Sequence, residues 1–410
     1  MSEEEYLKKA AFVSELGIAL HDCGGTSHRI EKHLTNVCAV LQINGTFLTT
    51  ATSITFCYWL DDRTNQHIQI ERVQPAGGDL GKLELIDALV DRVDSGDVTF
   101  REAREELKQI LHMPPNYSHL TSLLAAVVLS GSFAALLSFN INDVIASAIA
   151  TVVIFYLSIL GGKMDRLSNT IEIVAAMLAG LMATGIAALG FKINVLFVIL
   201  STIVVFIPGL SLTTALSEIA HRDLVSGTSK LVHAIMNLFK LYFGSILGVA
   251  IGAMLWGAGA GESLHGIRNL PDWKTLPAVV LLAVSLTIAF NIRPQQMFWC
   301  LIAALIGFYI ARSGEQHFGV AAGMFLGAFS VGIFANLYAN YRSIPSSIVL
   351  SNGLVLLVPG SKTYILLNSW ITGEQMMDHS TNGTQAFLIF ISLVIGLLFA
   401  NAVLPSKKSL

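Results

Sequence analysis

Hydrophobic and polar positions divide the chain into two unlike parts. Up to about residue 117, apolar residues recur at helix and strand periods among many charges. Beyond it they gather into long runs separated by short polar or Pro/Gly-containing breaks. A hydrocarbon core about 30 Å thick takes roughly 20 apolar residues per helix. Ten runs meet or approach that length: 119–138, 142–161, 170–190, 193–216, 231–257, 275–291, 295–312, 318–339, 346–370 and 384–404. The fourth, sixth, seventh and ninth are short or interrupted. The pattern predicts an all-α polytopic membrane protein of about ten transmembrane helices, preceded by a small N-terminal α+β cytoplasmic domain.

In that first domain, residues 4–22 and 27–42 have helical patterning on either side of Cys23-Gly24-Gly25. Residues 45–60, rich in Thr, Ile, Phe and Tyr, read as one strand. Residues 66–73 read as a second, the two forming a hairpin across Asp61–Asn65. Asp79 is placed to cap a helix over 80–94, and Thr99 with Glu102 forms a capping box for another over 100–111. Met113-Pro114-Pro115-Asn116 then stops the helix and extends the chain. The predicted domains are 1–117, cytoplasmic, then two five-helix membrane repeats over 118–262 and 263–410.

Composition agrees. The 410 residues are 53% hydrophobic and 13% charged, about half the usual charge of a soluble domain, and mean hydropathy is +0.65. A disordered chain or coiled coil is excluded, and a net charge of −3 gives no footprint for nucleic acid. Residues 1–117 carry 18 Asp/Glu against 11 Lys/Arg, and the remainder carries 14 Lys/Arg against 10 Asp/Glu. The acidic start, Met1-Ser2-Glu3-Glu4-Glu5, lacks the basic and apolar regions of a signal peptide, which predicts a cytoplasmic N-terminus. With that start, Lys163, Arg166, Arg222, Lys230, Arg293, Arg342, Lys407 and Lys408 fall inside. Lys192, Arg268, Lys274 and Arg312 fall outside. Eight against four supports both termini in the cytoplasm.

The second half echoes the first. Phe139-Asn140-Ile141 recurs as Phe290-Asn291-Ile292, and Ile207-Pro208-Gly209 as Val358-Pro359-Gly360, both at an offset of 151. Five spans per half gives inverted topology, an architecture of secondary transporters with the substrate site between the halves. The Pro-Gly breaks are the leading site candidates, because freed backbone groups in a bilayer need partners or a water-lined cavity. A helix restarting after Pro208 and Gly209 offers amides to a carboxylate. Ser211, Thr214 and Glu218 follow at i, i+3 and i+7 on one face. Past Pro359 and Gly360, Ser361, Tyr364 and Asn368 nearly repeat that spacing, with Lys362 placed to attract an anion.

Charges within a bilayer are costly and point to function. Glu218, Asp223 and Lys240 are the candidates for proton coupling; Lys240 is expected to pair with a carboxylate or line the pathway. Asp165 and Glu172 are assigned to snorkelling at span ends, and Asp143 also lies near a span. Asn140, Asn237, Asn291 and Asn336 are expected to hydrogen-bond between helices. The Gly-rich stretches 244–257 and 323–332 are expected to pack helices closely. His21, His28 and His33 near Cys23 match no metal-ligand spacing and are predicted to be surface residues. Gly77-Gly78-Asp79-Leu80-Gly81-Lys82 lacks the first glycine and the final Ser/Thr of a phosphate loop. The four cysteines show no CxxC spacing. No cofactor or metal is implied.

The run Gly24-Gly25-Thr26-Ser27-His28-Arg29-Ile30-Glu31, the Thr-rich strand and the Ser95-Gly96 turn resemble the N-terminal domain of the bacterial threonine/serine exporter family. Pro208-Gly209-Leu210-Ser211-Leu212-Thr213-Thr214-Ala215-Leu216-Ser217-Glu218, with Asp223 and Ser226-Gly227, is similar to that family's most recognisable membrane segment. The resemblance covers nearly the whole chain. Some relatives divide the architecture between two membrane proteins associated with dicarboxylate (succinate) export, and this chain resembles both pieces joined. The resemblance implies export across the bacterial inner membrane driven by the proton motive force.

The expected function is secondary active export of small polar metabolites, threonine and serine, with a C4-dicarboxylate as the alternative. The partners are then the small-molecule substrate, protons and the lipid bilayer, and a homo-oligomer stays open. An enzyme is disfavoured, since HExxH, GxSxG and paired intramembrane carboxylates are missing. A sensor is disfavoured by the repeat, because sensing needs no alternating access.

Overall fold

The computed structural model describes residues 2–60, 63–74, 78–138, 140–164, 170–220, 222–257, 272–357 and 383–406. The N-terminal segment contains α1 (Glu3–Asp22), α2 (Ser27–Val40), β1 (Asn44–Thr49), β2 (Ser53–Trp59), β3 (His67–Arg72), α3 (Leu80–Asp94) and α4 (Phe100–His112). The strands form one antiparallel sheet in the order β1-β2-β3, with Phe47 opposite Phe56 and Thr55 opposite Ile70. The alternation of β2 turns Ile54, Phe56 and Tyr58 inward, where they meet Phe12, Val13, Leu16, Ile30 and Leu34 of α1 and α2. Tyr58 is fully buried because its hydroxyl has a partner, Ser14 Oγ at 2.9 Å.

The strand expected over 45–60 is two strands. Thr50 Oγ1 accepts from the backbone N–H of both Ser53 (3.0 Å) and Thr52 (3.3 Å), so the hydroxyl takes donors that a continuous strand would give to a neighbour. The helix starts follow their caps. Asp79 accepts from Lys82 N at 3.0 Å, and the Thr99–Glu102 capping box is formed in both directions.

The apolar part contains α5 (His119–Leu137), α6 (Ile141–Gly161), α7 (Ile171–Ala188), α8 (Val195–Thr202), α9 (Gly209–Ala220), α10 (Leu224–Trp256), α11 (Asp272–Ala289), α12 (Met297–Phe318), α13 (Val320–Arg342), α14 (Ser346–Leu357) and α15 (Gly383–Val403). Among the described residues six helices are long and apolar enough to cross a membrane: α5, α6, α7, α10, α13, and α12 with the turn before it. Three shorter apolar helices are Thr275–Ala289, Ser346–Leu357 and Leu388–Val403. The fourth expected span is the interrupted pair α8 and α9. Residues 358–382 lie outside the described residues.

The Gly-rich stretches pack helices as expected. In α7 a Cβ on Gly180 would stand 2.7 Å from Ser245 O and 3.0 Å from Val249 N of α10. In α13 a Cβ on Gly323 would stand 2.5 Å from Ala311 O of α12. Lipid is as apolar as leucine, so such backbone approach and its dispersion contacts hold helices together. Gly180→Val therefore forces α7 and α10 apart. Overpacking of this kind costs about 1–3 kcal/mol, and the variant is expected to lower the melting temperature of the purified protein. Unchanged melting would refute the contact.

One apolar core continues from the N-terminal segment into the membrane helices. Ile292, Cys300, Ala303, Tyr338, Ile348 and Val349 belong to the same buried cluster as Phe12 and Tyr58. Polar contacts fix the junction. Asn116 donates to Asn291 through its backbone N and its Nδ2, both at 2.8 Å, and Tyr117 OH donates to Ile292 O at 2.8 Å. Leu80 N donates to Phe290 O at 3.1 Å. Gly81 lies against Asn291 O, leaving no room for a side chain, so this glycine serves a docking contact. Glu84 of α3, buried, accepts from Arg293 (3.2 Å) and Gln296 Nε2 (3.0 Å), and Tyr338 OH donates to Gln296 Oε1.

Candidate functional site

The helix breaks at Pro208-Gly209. α8 ends at Thr202, a 3-10 turn covers Val204–Phe206, and α9 restarts at Gly209. Pro208 has no N–H to continue the ladder. Gly209 N turns back to Ile207 O at 2.7 Å, and Leu212 N picks up Pro208 O at 3.0 Å. The break opens onto a cavity of about 420 Å³. Gly24, Gly25 and Thr26 of the N-terminal segment form one side of it. Leu129 and Phe133 of α5 and Phe290 after α11 line other parts, and Pro208, Gly209, Ser211 and Thr214 line the break itself. Lys230, His233 and Asn237 complete the wall from α10. Their i, i+3, i+7 spacing puts all three on one face. A mostly apolar wall with a few convergent polar groups is the usual form of a small-molecule site.

A charged cluster adjoins this cavity. The buried Glu218 carboxylate accepts from Lys230 Nζ (2.5 Å) and Ser27 N (3.1 Å) on Oε1, and from Ser226 Oγ (2.8 Å) on Oε2. Ser27 Oγ and Ser226 Oγ are 2.6 Å apart. Ser27 is the first residue of α2, whose N-cap residue Thr26 makes no side-chain capping bond. Glu218, 191 residues further along, supplies the anion that a helix N-terminus favours. Burial raises the pKa of Glu31, one turn into α2. Thr49 N, donating at 2.8 Å, opposes that rise, and the negative charges of Asp223 and Glu218 add to it. Three carboxylates and Lys230 thus meet where the N-terminal segment touches α9 and α10.

Of the residues expected at the site, Pro208, Gly209, Ser211 and Thr214 line the cavity, and Glu218 reaches it through Lys230. Asp223 sits at the N-cap of α10 with Oδ2 buried and without a hydrogen-bond partner. Lys240 lies outside the cavity lining and pairs with Glu172 of α7 at 3.8 Å. Pro359, Gly360, Ser361, Lys362, Tyr364 and Asn368 lie outside the described residues. Asp143 ties a helix corner together, accepting from Ser138 Oγ and from Asn194 N at 2.8 Å.

Three expectations need correction. His21 is buried rather than on the surface. It bonds Gln74 O at 3.1 Å, and burial lowers its pKa. His33 lies 3.3 Å from the buried Asp87, which also binds Arg29, so of the three histidines His28 alone is exposed. Asn237 bonds within its own helix, its Nδ2 donating to His233 Nε2 at 3.2 Å, whereas Asn336 does cross between helices to Asn401. His233, Lys230 and Thr26 line the cavity without being among the site residues expected from the sequence. The polar triple on one face of an apolar helix was a usable signal for the first two.

Residues 11–252 match a family model described as "Putative threonine/serine exporter", and residues 276–403 match a second, "Threonine/Serine exporter, ThrE". The chain belongs to the threonine/serine exporter family. Curated relatives include "Pheromone-regulated membrane protein 10" of Eremothecium gossypii, 22% identical over 92% of this chain and 52% of its own length. The protein of the same name from Kluyveromyces lactis is 22% identical over 97% of this chain and 44% of its own length. An uncharacterized protein of Schizosaccharomyces pombe is 22% identical, covering 97% and 55%. The chain spans about half the length of these relatives. No solved structure matches it. Family membership and the apolar helices make this a multi-pass membrane protein of an exporter family. The first family match contains the N-terminal wall of the cavity, the Pro208 break and the Glu218 cluster; the second contains most of α11 through α15.

Proposed function

We propose that this chain is a secondary active exporter of threonine and serine, driven by the proton motive force across a bacterial inner membrane. The observation that carries the reading is the cavity at the Pro208 break with the Glu218–Lys230 pair beside it. An amino acid brings one carboxylate and one ammonium. Lys230 and the N-terminus of α9 suit the carboxylate, and Glu218 suits the ammonium. Glu218 and Asp223 are the proton carriers of this reading. Proton uptake by Glu218 would release Lys230 and Ser27 together, joining protonation to the contacts that close the cavity wall. Lys240, paired with Glu172, is a weaker candidate.

The direction of the helices supports two halves of opposite topology. α5 leaves from the end of the bundle that touches the N-terminal segment, and α11 arrives there, as the Asn116–Asn291 contacts require. The excess of Lys and Arg in the loops assigned to the inside supports both termini in the cytoplasm. Succinate is the second reading, favoured by Lys230 as a cation in the cavity wall.

The test is transport by the purified chain in proteoliposomes, with labelled threonine, serine and succinate and an imposed pH gradient. Gradient-dependent movement of threonine and serine is expected in the wild type. Glu218→Gln is expected to lose the dependence on the gradient. Movement of succinate alone would replace the amino-acid reading, and movement of none of the three by folded protein would end both.

A further inference from the structure

The N-terminal segment supplies more than a wall. Thr26 holds the N-cap position of α2, where a threonine hydroxyl ordinarily accepts from an N–H of the first turn. Here it makes no such bond. Ser27 N is instead taken by Glu218 of α9. The Thr26 hydroxyl oxygen is left buried with no hydrogen-bond partner, in a residue that lines the cavity. On the α10 wall, Asn237 has the complementary arrangement. One N–H of its amide goes to His233 Nε2, and its Oδ1 is buried and unpartnered. A buried polar atom without a partner costs free energy. Two of them in the lining of one cavity, on elements from different parts of the chain, describe a site waiting for a ligand with hydrogen-bonding groups at both ends.

We propose that Thr26 and Asn237 bind the transported molecule between them, so that the substrate site is shared between the N-terminal segment and the membrane helices. Asn237 Oδ1 can only accept, so it takes a donor: an ammonium or hydroxyl of the substrate. The Thr26 hydroxyl can donate or accept, and it belongs to the cavity lining supplied by the N-terminal segment. Lys230, on the same face of α10, supplies the charge. The ligand class is a small molecule with an anionic group and a separate donor, which an amino acid satisfies and a fully ionised dicarboxylate does not. Loading the cavity then ties the N-terminal segment to α10 through the substrate.

This inference rests on the cavity being the transport site, so its test measures binding as well as transport. Labelled threonine, serine and succinate are titrated against the full chain in detergent, and transport is followed in parallel vesicles. Thr26→Val keeps the shape and removes the hydroxyl; Thr26→Ser restores it; Asn237→Ala removes the acceptor. The dissociation constant for threonine is expected to rise about tenfold in Thr26→Val and in Asn237→Ala, and to return near the wild-type value in Thr26→Ser. The melting temperature of Thr26→Val is expected to stay within a few degrees of wild type, since its hydroxyl has no partner to lose, whereas Asn237→Ala also gives up the bond to His233. Wild-type affinity in Thr26→Val would overturn the inference while leaving transport intact. Binding with these losses but without transport would uphold the shared site and refute the exporter reading. Binding of none of the three by the wild type would overturn both.

Discussion

A disulfide between α2 and α10, made by Ser27→Cys with Ser226→Cys, is expected to stop transport, and reduction is expected to restore it. The two hydroxyl oxygens are 2.6 Å apart, and a disulfide needs its sulfurs at about 2.0 Å with Cβ atoms about 3.5–4.5 Å apart. Gly24, Gly25 and Thr26, immediately before Ser27, form the cavity wall on the side of the N-terminal segment. A substrate arriving from that side passes only if this wall separates from α9 and α10. The native thiols do not confuse the assay. Cys23 and Cys38 are buried, which pushes their pKa up to about 12, so at pH 8 they are almost wholly protonated and unreactive. Cys300 is also buried, and Cys57, half-buried, is replaced by serine in the background. Each single cysteine variant is expected to be insensitive to oxidant. Full transport by the oxidised double variant would show that α2 stays docked through the whole cycle.

The sequence made much of this architecture readable because local chemistry decided it. Asp79 and the Thr99–Glu102 box start their helices where the side chains can reach the first free amides. Pro208 breaks its helix because it has no N–H to continue the ladder. Gly180, Gly244 and Gly248 mark a helix contact because only small residues admit a facing backbone. What depended on distant partners was not readable. Glu84 of α3 carries no mark in the sequence and is buried because the corner after α11 covers it. Glu218 stands out in the sequence as a site candidate after the Pro-Gly break, but its partner Ser27 lies 191 residues earlier with no local mark. The glycines around Asp79 resembled a failed phosphate loop. The reason for Gly81 among them is the approach of Asn291, which only the folded chain brings. His21 is buried because Gln74, fifty-three residues on, offers it a carbonyl.

Removing the Glu218 carboxylate alone is expected to destabilise the protein more than removing both partners of the pair. In Glu218→Ala the Lys230 ammonium keeps its charge with only a weak 3.5 Å contact to Ser27 Oγ, and the amide of Ser27 loses its acceptor. The side chains of Glu218 and Lys230 are 5% and 16% exposed, so water replaces little of the lost interaction. Breaking a buried pair from one side costs about 3–5 kcal/mol, much of it the stranded charge rather than the bond. Glu218→Ala with Lys230→Ala removes both charges of the pair and leaves the Ser27 amide and the Ser226 hydroxyl to be solvated. The melting temperatures are therefore expected in the order wild type, double variant, Glu218→Ala, with the double variant well above the sum of the single losses. That excess is the coupling between the two side chains. Additive losses would mean that Lys230 is already solvated and the pair is a surface contact. An excess would mean that the charge of Glu218 fastens α2 to α9 and α10. Protonating that carboxylate would then weaken the same contacts as deleting it, and a proton arriving at Glu218 would both discharge the cluster and loosen the cavity wall that α2 begins.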